Sequence, residues 1–132
     1  MALTGRHYAM MALLLKHGLE RQACEYYFGL YCGGVLALDQ YTLLGTLLMR
    51  NNQKEQATWV FEDAFNAGQD NPYLLLHLGE LWLLQARYLE SCKVLAKLVQ
   101  DYSLETALMP LIHRAQLLLI KMRMQVMELT HL

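Results

Sequence analysis

The sequence has little of what most function classes require. Lys and Arg together number 11 against 12 Asp and Glu, only 17% of the 132 residues are charged, and the formal net charge is −1. A nucleic-acid binder needs a basic face and a high pI, so nucleic acid is not an expected partner. The three cysteines, Cys24, Cys32 and Cys92, are an odd number without CxxC spacing in a chain long enough to build a core. A disulfide framework and a structural zinc site are therefore both unexpected, and a reducing cytoplasm fits best. Long hydrophobic runs are missing: "AMMALLL" ends at Lys16 and "LLLI" at Lys121, well short of the ~18 residues of a membrane span, so no membrane insertion is expected. No small-residue cleavage site follows the first apolar stretch, which argues against a signal peptide. GxSxG, a phosphate-cradling glycine loop and a dinucleotide fingerprint are all lacking. Glu62 and Asp63 are neighbours that diverge on a helix, and Glu80 has no visible carboxylate partner, so its expected contact is a neighbouring side chain, the alternative being a Lys or Arg of a ligand. His17, His77 and His113 read as surface or hydrogen-bonding imidazoles. No enzymatic activity, metal or cofactor is expected.

What is present is apolar residue in quantity, 55% of the chain, rich in Leu and Met, with two prolines and few β-branched residues. That mixture specifies an all-α domain, and 132 residues make one domain, 1–132. Within it runs a period of 34. Leu44, Gly45 and Leu48 map to Leu78, Gly79 and Trp82, while Ala57, Phe61 and Ala64 map to Ser91, Leu95 and Leu98. Stepping back once gives Met11, Ala23, Tyr27 and Leu30, with the glycine lost. A period of this length is the signature of stacked supersecondary units. The units are read as helix hairpins over about 4–37, 38–71 and 72–105, with small residues such as Gly45 and Ala57, or Gly79 and Ser91, bringing two backbones together.

The hairpin turns fall at one register, Gly18, Asn52 and a weaker Ala86. Gly and Asn take positive φ readily at a helix end. Between units, Gly33 and Gly34 form one break; Gly68, an Asp70 or Asn71 cap, and Pro72 at a first helical position form another. A last helix is expected over about 106–131, capped at Thr106 with Pro110 in or just past its first turn. Its stripe Leu111, Ile112, Ala115, Leu118, Leu119, Met122 and Val126 would cover the last unit, as terminal repeats require. A second row, Leu117, Ile120, Met124 and Met127, lies off that stripe. If exposed, it predicts association with a small helical cochaperone or with another copy.

With Tyr41, Leu44, Gly45, Leu48, Ala57, Phe61 and Ala64 in the middle unit, the chain resembles the tetratricopeptide repeat over about residues 3–104. The resemblance implies an α-solenoid of three hairpins plus the C-terminal capping helix, with the first helix of each pair lining a concave groove. Carried over by register, the groove holds Tyr8, Ala12, Leu15 and Lys16, then Thr42, Thr46, Met49 and Arg50, then Tyr73, Leu76, Glu80, Leu83 and Leu84. Only Lys16 and Arg50 could serve a carboxylate clamp, so the acidic tail of a heat-shock chaperone is not the expected ligand. A groove of Tyr, Leu and flexible Met suits the apolar face of a helix. In size and layout the chain is similar to the small chaperones of type III secretion systems, nearest the needle-subunit type. That resemblance implies a chaperone holding an amphipathic helix of a secreted, polymerisation-prone subunit. The alternative is a repeat adaptor that assembles proteins without holding them.

Overall fold

The structure, a computed structural model, describes residues 5–130, and side chains over residues 9–128; Tyr8 lies outside the described side chains. All described regular structure is helical. Among the described residues seven α-helices follow one another: α1 (Gly5–Lys16), α2 (Glu20–Cys32), α3 (Tyr41–Arg50), α4 (Lys54–Asn66), α5 (Pro72–Leu84), α6 (Tyr88–Tyr102) and α7 (Met109–Thr130), with short 3-10 turns at Leu38–Gln40 and Thr106–Leu108. The chain divides into two compact units, residues 1–64 and 65–132.

The three short interhelical turns share one backbone conformation. Gly18, Asn52 and Ala86, each 34 residues from the next, have φ of 71°, 60° and 59°. Around each the same two hydrogen bonds form. Gly18 N–H donates to the Leu15 carbonyl and Leu19 N–H to that of Leu14; Asn52 and Gln53 donate to Met49 and Leu48; Ala86 and Arg87 donate to Leu83 and Trp82, all at 2.8–3.1 Å. This is the Schellman closure, which satisfies carbonyls left over at a helix end. Gly34, with φ of 73°, closes α2 the same way through Gly34 and Val35 N–H.

In the first unit the core gathers Met11, Ala23, Tyr27, Leu44, Leu48, Ala57 and Phe61, all at most 3% exposed. Gly45 is required by space: a Cβ there would stand 2.4 Å from the Phe61 ring. The second unit repeats the device, since a Cβ on Gly79 would stand 2.5 Å from Leu95. Here α5 and α6 also meet through Ser91, whose buried hydroxyl donates to the Gly79 carbonyl at 2.6 Å. The glycines therefore make room for the large residue of the facing helix, and Gly79 also meets the small residue that the sequence pairs with it. Asn71, rather than Asp70, caps α5: its side-chain oxygen accepts from the N–H of Tyr73 and Leu74, with Pro72 first in the helix. Asp70 instead accepts from the Tyr102 hydroxyl at 3.0 Å.

α7 packs on α6 and α5 through Ile112, Ala115, Leu118 and Met122, each at most 5% exposed. Two expectations are corrected. Thr106 does not cap α7; it opens a 3-10 turn, and the helix starts at Met109 with Pro110 second. A helix capped at Thr106 would put the proline ring against the carbonyl four residues back, at Thr106 itself, so the chain tightens there before the α-helix begins. Val126 is 43% exposed and does not join the buried stripe. α7 has 22 residues against 13 and 15 in α5 and α6, and at about 1.5 Å per residue it outruns them by roughly 10 Å.

Candidate functional site

In the first unit, α1 presents Ala12 and Lys16 exposed and Leu15 half-buried, and α3 presents Thr42, Thr46 and Met49 half-buried with Arg50 exposed. Of the four polar members, Thr46 and Arg50 are engaged within the unit, while the buried Thr42 Oγ1 has no hydrogen-bond partner among the described residues and Lys16 is exposed. The Thr46 hydroxyl donates to the Thr42 carbonyl of its own helix at 2.8 Å. Arg50 pairs with Glu20 at the start of α2, Nη2 to Oε1 at 2.9 Å. With the Thr46 hydroxyl turned back and the guanidinium held at the helix end, the surface left to a partner is that of Ala12, Leu15 and Met49, edged by the exposed Lys16.

In the second unit the inward register of α5 carries Tyr73, 49% exposed, Leu83, half-buried, and Leu84, 67% exposed. Leu76 is only 8% exposed and backs this surface from the core side. Glu80 stands among these residues, with Arg114 Nε of α7 3.9 Å from its Oε1. This is the neighbouring-side-chain contact read from the sequence. Burial raises the Glu80 pKa, and Arg114 partly offsets that rise. One turn back, burial lowers the pKa of His77. A half-buried carboxylate resists losing its water, so Glu80 favours a donor from a ligand over a purely apolar contact.

The second row of α7 is exposed along its whole length: Leu117 62%, Ile120 56%, Met124 59% and Met127 50%. Sequence reasoning missed other exposed apolar side chains, including Leu13 at 51%, Trp59 at 53%, Leu89 at 71% and Leu104 at 96%. All lie outside the inward register, and the helical period alone does not separate them from core positions. A cleft of about 300 Å³ in the first unit, lined by Glu25, Phe28, Gly29, Cys32, Gln53 and Gln56, was likewise unanticipated. It brings no pair of acid and base together.

Cys24 is buried, and burial, then Glu25 and Glu20, raise its pKa, which makes it an inert thiol; Cys32 and Cys92 are exposed and unbridged. Among the described residues, no three His, Cys, Asp or Glu side chains gather to hold a metal ion. Nor is any described helix long and apolar enough to cross a membrane. Comparison with protein-family models gives no match, and comparison with curated protein sequences gives none.

Proposed function

We propose that this chain is a tetratricopeptide-type binding protein that acts as a cytoplasmic chaperone, holding the amphipathic helix of a secreted, self-polymerising subunit, as the needle-subunit chaperones of type III secretion do. The observation that carries the reading is the recurrence of one Schellman turn at 34-residue intervals, at Gly18, Asn52 and Ala86. A hairpin repeated at this interval sets the same register on the first helix of each pair. At that register stand Leu15 and Met49 in the first unit, and Tyr73, Leu83 and Leu84 in the second. Each is half-buried or exposed.

Apolar anchors seated on a rigid helix suit a helical ligand with apolar residues at successive turns. Each such anchor contributes about 1.5 to 3 kcal/mol, so a ligand must engage several to offset an association cost of roughly 4 to 15 kcal/mol. Sequestration follows from occupation: a subunit that polymerises through an apolar helix stays monomeric while that helix is covered. The engagement of Arg50 by Glu20 weighs against an acidic-tail ligand.

Coexpression with a polymerising secreted subunit, followed by light scattering of the purified mixture, tests the reading. A chaperone keeps the subunit monomeric in a stoichiometric complex. An adaptor would leave its polymerisation rate unchanged.

A further inference from the structure

Two apolar stripes on one helix call for two partners. On α7 the first, Ile112, Ala115, Leu118 and Met122, is covered by α5 and α6. The second, Leu117, Ile120, Met124 and Met127, is at least half exposed throughout. At about 100° per residue the centres of the two stripes lie roughly 165° apart, so the exposed row faces away from the helices that hold α7.

The row advances by three, four and three residues, the a and d positions of a heptad. Its flanks are polar: Gln116 and Arg123 stand at g, Lys121 and Glu128 at e, and all four are exposed. Polar flanks keep the seam narrow, the form suited to two strands rather than to a broader bundle.

We propose that this row is a self-association seam, in which α7 pairs in parallel and in register with α7 of a second copy. Charge selects that arrangement. In a parallel pair the g residue of one strand meets the following e residue of the other, which sets Arg123 against Glu128 of the second copy, twice by the two-fold axis. The remaining pair, Gln116 with Lys121, is without conflict. Antiparallel pairing would bring Lys121 to Lys121 and Arg123 to Arg123, and a bare acidic helix would leave Glu128 opposed. The chain therefore carries both halves of its own complement. A seam of four side chains spans only about 15 Å of helix, at the low end of interface sizes, so the pair is reversible and dissociates on dilution.

Sedimentation equilibrium of the full chain, from low micromolar to several hundred micromolar, tests this. The expected mass rises from monomer to dimer. Ile120→Glu should raise the dissociation constant roughly a hundredfold by placing like charges in the seam, with circular dichroism and melting temperature unchanged because the site is exposed. Arg123→Glu should weaken the dimer about tenfold, since two attractions become two repulsions. Arg123→Glu combined with Glu128→Arg should restore it. A chain that stays monomeric throughout overturns the proposal, as does a dimer indifferent to Ile120→Glu or a larger oligomer. A double charge swap that fails to restore pairing overturns the parallel register. A row that binds a different helical chain, with no self-association, assigns it to a heteromeric partner. None of these outcomes bears on the surface of α1 and α3 or on that of α5, which are read separately.

Discussion

Ala86 carries the backbone of the repeat at the position least suited to it. Its φ of 59° matches that of Asn52 and is near the 71° of Gly18, yet alanine has neither the freedom of glycine nor the polar side chain that helps asparagine there. An L-residue in this region is destabilised by roughly 1 to 2 kcal/mol, and glycine gives back about 0.5 to 1 kcal/mol through its freer unfolded state. Ala86→Gly should therefore raise stability by about 0.5 to 1 kcal/mol, a melting shift of a few degrees by calorimetry. An unchanged or lower melting temperature would show that the turn is not strained.

His77 and Glu80 give the second unit opposing pH dependences. The folded pKa of His77 is lowered by burial, so below its ordinary value of 6.5 the unfolded state takes the proton first and stability falls. The folded pKa of Glu80 is raised, again mainly by burial, so its destabilising effect is present at neutral pH and fades as the pH drops through that folded value. His77→Gln should flatten the loss of melting temperature as the pH falls below the ordinary histidine value of 6.5. Glu80→Gln should raise the melting temperature at neutral pH, with a difference that vanishes in acid. A His77→Gln profile parallel to wild type would contradict the assignment.

At the level of elements, the sequence revealed most where a residue has one good use. Pro72 after Asn71 marks a helix start because proline fits where no N–H partner is needed, and Gly34 and Gly68 mark stops by positive φ. The start of α7 was less legible, since Pro110 excludes a cap at Thr106 only once the carbonyl four residues back is considered. Where α7 outruns α5 and α6 depends on relative helix lengths, which the period does not encode, so the stripe read from the sequence runs on to Val126 although packing leaves that residue exposed. The Asn71 cap is a direct test at this scale: Asn71→Ala removes the acceptor for Tyr73 and Leu74 N–H and should cost about 1 kcal/mol. Chemical denaturation would show it as a lower midpoint at constant slope. A loss of only a few tenths would mean that the Pro72 backbone alone fixes the start.

For the molecule as a whole, the all-helical class and the 34-residue spacing were readable because Gly45 and Gly79, and Phe61 and Leu95, repeat as matched pairs of space and filler. The candidate surface was only partly readable. Register placed Tyr73 and Leu76 on one list, but packing leaves the first half exposed and the second nearly buried. The opposite error is Leu13, exposed on α1 although the inward register omits it. Periodicity reports which way a side chain points; exposure depends on what is packed there. The second row of α7 needed coordinates for the same reason, since a row off the main stripe could have been buried by a further helix.

The most direct measurement of the proposed holding function is light scattering of a polymerising secreted subunit mixed with wild-type chain or with Met49→Glu. Met49 is half-buried at the candidate surface, and a carboxylate there must be desolvated against an apolar helix, which should weaken binding by about 3 kcal/mol or more while leaving helicity nearly unaltered. The account predicts a stoichiometric, non-scattering complex with wild type and unrestrained polymerisation with Met49→Glu. Equal scattering in both mixtures, whether high or low, would contradict it.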